Sequence, residues 1–316
     1  MNERDGLATR FTEHRDHLQA IAYRMLGSLS EAEDAVQEAW LRLARTDSGE
    51  IGNLAAWLRT VVSRICLDML RSRTARREEP LDGPLTGEPA PRQLRHSQIG
   101  HSQLQPGEPG QAGHGPGGDP EQEAILADSV SRALLVVLDT LVPAERIAFV
   151  LHDMFAVPFD EIAPIVERSA ATTKKLASRA RHKVRGTPVA GPAELARHRR
   201  VVEAFLAAAR VGDLDAILAV LDPGVVRRAD RVVLPAGRPT EARGADTVAK
   251  EIALFGSAAR FAEVALVNGA VGAVVAPRGR LRLVIAVTVG GERITSYELI
   301  ADPDRLRRLD LATLAG

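Results

Sequence analysis

Between Arg168 and Arg185 the chain carries seven Lys or Arg residues and not one Asp or Glu. Side chains of these types make and break no bonds. Ranged along one surface they neutralise phosphates and release counterions, while polar residues among them reach base edges. The stretch VPFDEIAPIVERSAATTKKLASRARHKVR, residues 157–185, supplies a geometry for this. Phe159, Ile162, Ala163 and Val166 recur at helical spacing and predict a first helix. Pro164 removes a backbone donor inside it, so that helix must be short or bent. Glu167, Arg168 and Ser169 form the turn, with Ser169 as a good N-cap for the next helix. This second helix, from Ala170 to about Arg185, sets Thr173, Leu176, Ala177, Ala180 and Val184 on one buried stripe. Thr172, Lys174, Lys175, Ser178, Arg179, Arg181, His182 and Arg185 remain outside. A helix-turn-helix with a cationic outer face suits a DNA major groove. On charge alone, a solvated basic helix is the plainer alternative.

The rest of the chain must position that element. A length of 316 residues allows two or three domains, and 41 basic against 41 acidic residues give zero net charge. Nucleic-acid binding must therefore come from local asymmetry. The single cysteine, Cys66, lies in an apolar helical pattern and reads as a small buried hydrophobe. No disulfide framework is possible within one chain, which fits a reducing compartment. No apolar run is long enough for a membrane span, and the charged start MNERDGLATR has no signal-peptide core. These features imply a cytoplasmic protein with no membrane partner.

In chain order, residues 1–79 read as an all-helical domain. Phe11 to Leu26 is its first helix, stopped by Gly27. Ser30-Glu31-Ala32-Glu33 fits a capping box for a second helix. There Ala32, Ala35, Val36, Ala39, Trp40 and Leu43 face inward, and Asp34, Gln37 and Glu38 share an acidic outer face. Leu54 to Arg73 is the third, with Leu54, Leu58, Val61, Val62, Ile65 and Met69 inside. It also carries Arg59, Arg64, Arg71 and Arg73. Residues 80–120 hold eight of the 18 prolines and nine of the 26 glycines and read as a flexible linker. His96, His101 and His114 within it lack Cys or carboxylate partners at ligand spacing, so no metal site is expected. Residues 121–186 form a second helical domain around Ile125, Val130, Leu135, Leu138, Ile147 and Leu151, with Pro143 at a helix start. After a short linker, 187–194, residues 195–316 begin with two helices broken at Gly212-Asp213. Strand patterns come next, at 261–267, 269–275 and 294–300. Another has Leu281, Leu283, Ile285, Val287 and Val289 on one face of a half-buried strand. Helices and then antiparallel strands predict an α+β domain with a curved sheet.

These stretches resemble a known family. YRMLGSLSEAEDAVQEAWLRL (Tyr23–Leu43) resembles the segment of bacterial sigma factors that docks on RNA polymerase. WLRTVVSRICLDMLRSRTARRE (Trp57–Glu78) resembles the adjoining segment that melts and reads the −10 promoter element. Leu141–Ala163 through Leu176–Val184 resembles the −35-reading domain. Order and spacing match the extracytoplasmic-function (ECF) group. The segment Arg200–Val226 resembles the SnoaL-like, NTF2-like domain fused to one ECF subgroup. The resemblance implies that Asp34, Gln37 and Glu38 contact the β′ clamp of core RNA polymerase, with the β flap as a further contact. It places Arg59, Ser63, Arg64, Asp68 and Arg71 on the −10 element, where a flipped base and single strand are held. It places Thr172, Lys174, Lys175, Ser178, Arg179 and His182, with Thr173 beside them, on the −35 helix. That subgroup carries an Asp-Gly-Gly-Gly-Lys loop and an Asn-Pro-Asp-Lys-Leu motif associated with contact between the fused domain and the sigma core. This chain has DRVVLPAGR (Asp230–Arg238) and DPDRL (Asp302–Leu306) there, and REEPLDGPL (Arg77–Leu85) in place of a Trp-Leu-Pro-Glu-Pro-Leu motif.

The expected activity is thus promoter-directed transcription initiation, with the last domain regulating it in cis through an intramolecular contact or a small-molecule ligand. Catalysis by that domain is disfavoured, since no His occurs after His198 and Asp222, Asp230, Asp246 and Glu298 show no obvious partner. No catalytic residue and no cofactor is assigned. The alternative, a helix-turn-helix regulator with a ligand-sensing domain, leaves the first 79 residues unexplained.

Overall fold

The computed structural model describes residues 3–46, 51–78, 131–235 and 237–314. The expected linker over 80–120, the core candidates Ile125 and Val130, and most of the stretch 77–85 lie outside the described residues. Three helices come first: α1 (Glu3–Leu26), α2 (Leu29–Leu43) and α3 (Leu54–Glu78). Gly27 ends α1 as expected, at a φ of 72° that only glycine takes without strain. The helix α2 starts earlier than the Ser30 pattern implies. Ser28 is its N-cap, and the carboxylate three residues on, Glu31, bridges to Arg73 of α3 instead of closing a capping box. On α3, Leu58, Val62, Ile65 and Leu67 are buried, with Cys66 fully enclosed among them. Burial pushes the Cys66 thiol up to about 12, so it packs as a neutral group.

A second helical group contains α4 (Arg132–Asp139), α5 (Pro143–Phe149), a π-helical turn (Val150–Met154), α6 (Phe159–Val166) and α7 (Ala170–Arg185). Pro143 occupies the first turn of α5, where a missing donor costs nothing. With Pro164 inside it, α6 stops after 8 residues, and Glu167 at φ 57° turns the chain into α7.

Two further helices, α8 (Pro192–Val211) and α9 (Leu214–Val220), lead into the sheet. Gly212 at φ 70° breaks them, as the sequence suggests, and the Asp213 carboxylate caps α9 through the Ala216 N–H. The remaining elements are β1 (Leu221–Ala229), β2 (Glu241–Arg243), α10 (Ala245–Phe255), β3 (Ala262–Val267), β4 (Ala270–Val275), β5 (Leu283–Gly290), β6 (Arg293–Ile300), α11 (Pro303–Leu306) and β7 (Leu311–Ala312). They build a 7-stranded sheet in the order β2-β1-β6-β5-β4-β3-β7. All neighbours are antiparallel except β1 and β6. The fold is therefore two helical groups and then an α+β unit. Among the described residues no helix is long and apolar enough to cross a membrane.

The expectation of a half-buried β5 fails in an informative way. Ile285 and Val287 pack with Val202, Phe205 and Val248 of the helices α8 and α10. The opposite face is also covered. Val284, with Ala265, Val267, Val274 and Ile300, belongs to the same apolar cluster as Leu58 of α3, Leu135 of α4 and Val184 of α7. The sheet is a middle layer, and one continuous core joins it to both helical groups. Truncation at this joint, Val284→Ala, removes two buried methyl groups at a cost on the order of 2 kcal/mol. Amide exchange is expected to quicken in α4 and α7 as well as in the sheet; acceleration confined to the sheet would mean that the cores are separate.

Candidate nucleic-acid interface

The geometry of α7 matches its sequence pattern. Thr173, Ala177, Ala180 and Val184 are buried, and Lys174, Lys175, Ser178, Arg179 and His182 are exposed. Thr172 is half-buried at the N-cap, where its N–H donates to Ser169 Oγ at 3.2 Å. Thr173, which the sequence places both inward and on the reading surface, is inside, its hydroxyl donating to the Ser169 carbonyl at 3.0 Å. The cations of this helix divide into two kinds. Arg181 pairs with Asp153 at 2.7 Å and Lys183 with Glu145 at 2.9 Å, so these two tie α7 to its own scaffold. Lys174, Lys175 and Arg179 enter no ion pair among the described residues and remain available to phosphate or base.

The set on α3 is arranged otherwise. Ser63 is fully buried and is removed from the reading surface by its spacing. With Cys66, Leu67 and Leu70 it falls at i, i+3, i+4 and i+7 on the core face. Asp68 is exposed. The three arginines are occupied by the helix-turn-helix itself. Arg59 pairs with Glu161 on α6, Arg64 donates to the Pro164 carbonyl at 3.2 Å, and Arg71 lies 3.6 Å from the Glu167 carboxylate in the turn. Arg71 also approaches Asp68 at 3.8 Å. The acidic first helix of the helix-turn-helix therefore lies over the cationic face of α3. Sequence reasoning missed Glu161 and Glu167, although they stand out as the carboxylates just ahead of an acid-free run.

On α2, Asp34 and Gln37 are exposed, and Glu38 is half-exposed and paired with Arg42 at 2.9 Å. Leu41, 41% exposed, continues the same face one turn on. An acidic surface with an apolar end is thus open to a partner.

The α+β unit grips the second helical group at two points. Glu263 on β3 accepts from the Ala133 N–H at 3.0 Å, from Ser131 Oγ at 2.6 Å and from Arg132 at 3.3 Å, capping α4 from another part of the chain. At the far end of α7, the Val184 carbonyl accepts from Thr313 N–H at 2.8 Å and from its hydroxyl at 2.9 Å. The stretches 230–238 and 302–306 also meet. Asp230 accepts from the Ala301 and Asp302 N–H groups, both at 2.9 Å, and pairs with Arg305, which holds Glu298 as well at 2.6 Å. Burial opposes the Asp230 charge, but these donors outweigh it and hold its pKa below the ordinary carboxylate value. Asp230 and Glu298 thus have the partner the sequence does not reveal, and it is a structural one.

Between α8, α10 and the sheet lies a cavity of about 160 Å³. Its walls are apolar except at one end, where Arg227, Glu251, Arg238 and Tyr297 gather. It contains no histidine.

Comparison with known proteins places these features. A family model described as Sigma-70 region 2 matches residues 10–76, and one described as Sigma-70, region 4 matches residues 131–184. The chain is 35% identical over 312 residues, 97% of each chain, to the "Probable ECF RNA polymerase sigma factor SigI" of Mycobacterium tuberculosis. It is 36% identical over 315 residues to the "ECF RNA polymerase sigma factor SigJ" of the same organism, covering 94% of this chain and 92% of that one. The crystal structure of Mycobacterium tuberculosis SigJ aligns over 95% of this chain and 98% of the other, with 34% identity and a TM-score of 0.42. With relatives of this identity along nearly its whole length, the chain belongs to the ECF RNA polymerase sigma factors, non-enzymatic proteins that join core RNA polymerase and promoter DNA to initiate transcription.

Proposed function

We propose that the chain works as five units: residues 1–79 for core polymerase and the −10 element, a linker over 80–120, residues 121–186 for the −35 element, a short linker over 187–194 whose last three residues already form the first turn of α8, and a SnoaL-like regulatory unit over 195–316. Asp34, Gln37 and Glu38 meet the β′ clamp, and the second helical unit meets the β flap. Arg59, Arg64, Asp68 and Arg71 hold the −10 strand, with Ser63 shaping the core beneath them. Lys174, Lys175, Ser178, Arg179 and His182, with Thr172 at the helix start, read the −35 box. The observation that carries this reading is the division of α7 into a buried stripe and an outer face where Lys174, Lys175 and Arg179 enter no ion pair among the described residues. Two separate contacts joined by a tether gain from effective concentration, so neither box needs to be bound tightly alone. The protein acts in the cytoplasm beside its polymerase.

Regulation in cis is supported by the arrangement of the units. The shared core and the Glu263 and Thr313 contacts hold the second helical unit where Glu161, Pro164 and Glu167 cover the −10 arginines. The resting protein is closed, and promoter reading begins when α6 leaves α3. The cavity of the last unit gives it room for a small-molecule ligand.

Two outcomes test these assignments. Lys174→Ala with Lys175→Ala is expected to abolish run-off transcription with core polymerase while leaving core binding intact; loss of both in a folded protein contradicts the division of roles. Glu161→Ala with Glu167→Ala removes the α6-side carboxylates from Arg59 and Arg71 without altering the arginines, and leaves the Arg64 bond to the Pro164 carbonyl in place. Exposed pairs contribute roughly 0.2–1 kcal/mol each, so affinity of the free protein for a single-stranded −10 oligonucleotide should rise about fivefold. An unchanged affinity would mean that α6 does not cover the −10 surface.

A further inference from the structure

The cavity in the α+β unit has a composition that selects among ligands. Phe205, Ile252, Val275 and Ile285 line its apolar part. At about 160 Å³ it matches an apolar protein cavity of roughly 150 Å³ that takes up benzene, so it admits one ring or a short branched chain and little more. The polar end is charged but not neutral. Arg227, 2% exposed, gives its Nε and Nη2 to Glu251 at 3.2 and 2.7 Å and its Nη1 to the Pro239 carbonyl at 3.0 Å. The second Glu251 oxygen receives Arg238 at 3.4 Å. Among the residues that line the cavity, two guanidinium groups stand with one carboxylate, a formal surplus of one positive charge in the lining. Arg238 is half-exposed at the mouth of the cavity, on the loop that also contributes Leu234 and Pro235.

Tyr297 supplies the second, independent observation. It pairs with Arg227 across the parallel strands β1 and β6, is 5% exposed and lines the cavity. Its hydroxyl finds no hydrogen-bond partner among the described residues. The hydroxyl is not among the fully enclosed orphaned polar atoms, and Tyr297 lines the cavity, where an acceptor on a ligand can reach it. Burial pushes its pKa up, so at neutral pH it is a donor awaiting an acceptor.

We infer that this cavity binds a small monocarboxylic acid with a benzene-sized apolar body, its carboxylate facing the Tyr297 hydroxyl and the Arg238 guanidinium. A single negative charge cancels the surplus, the phenol gains an acceptor, and the ring is dehydrated against Phe205 and Ile285. The site has a route to the helical units. The cavity-side loop begins directly after Asp230, which holds the 301–305 backbone and Arg305. Leu306, next in that turn, packs against the core shared with α3, α4 and α7. The inference deepens the reading of the last unit as regulatory and rests on it for its consequence, but binding itself requires neither polymerase nor promoter.

The test is calorimetry on the full-length protein with sodium benzoate, toluene and benzylammonium as probes. Benzoate is expected to bind, toluene more weakly, and benzylammonium not at all. Tyr297→Phe and Arg238→Ala should each weaken benzoate about tenfold, the loss expected for one charge-assisted hydrogen bond, and leave toluene unchanged. Absence of benzoate binding overturns the inference. So does benzoate binding that both substitutions leave untouched, or toluene binding as tightly as benzoate. Because these arms involve no transcription, their failure would leave the cover over the −10 arginines standing, and failure of that cover would leave the cavity result standing.

Discussion

The structure turns on how three arginines of α3 are satisfied. Two carboxylates and a carbonyl from the neighbouring helix-turn-helix occupy Arg59, Arg64 and Arg71, the arginines proposed to hold the −10 strand. Such exposed pairs are individually weak. They cannot hold two units together, but they match charge to charge at low cost and yield readily to phosphate. The helix α7 is left differently: Lys174, Lys175 and Arg179 enter no ion pair among the described residues. On the proposed assignment one DNA-reading surface is covered and the other open, an order for initiation that follows only from that proposal.

The strength behind the cover comes from burial. The sheet lies between its own helices and the helical units, with Val284 and Ile300 inside the same cluster as Leu58 and Leu135. Glu263 adds specificity by capping α4, and Thr313 fixes the far end of α7. The α+β unit thus meets both helical groups through an apolar face that is already covered. Leu306 packs against that core, and Asp230 holds the turn that carries it through Ala301, Asp302 and Arg305.

Much of this is legible in the sequence because periodicity reports burial. The α7 stripe of Ala177, Ala180 and Val184, the cap at Ser169, and the breaks at Gly27 and Gly212 all obey local rules. The features that stay hidden depend on neighbours distant in the chain. Ser63 looks available by residue type alone, and only the packing of Cys66, Leu67 and Leu70 defines the core side of α3. Val284 reads as an outward residue because nothing local announces a second covering layer. The cations Arg181 and Lys183 cannot be told from Lys174 without Asp153 and Glu145 in place. The Arg227–Tyr297 end of the cavity depends on a parallel pairing between strands far apart in the chain, which no local pattern encodes.

The central claim is that the free protein is closed over its −10 surface and opens when transcription starts. The buried Cys66 thiol does not compete for spin labels, so a pair can be placed at Ala75 on α3 and Arg185 on α7. Their separation, measured by pulsed electron resonance, is predicted to be single and narrow in the free protein. With core polymerase and promoter it should be longer. A broad distribution in the free protein, or the same separation in both states, would contradict the account.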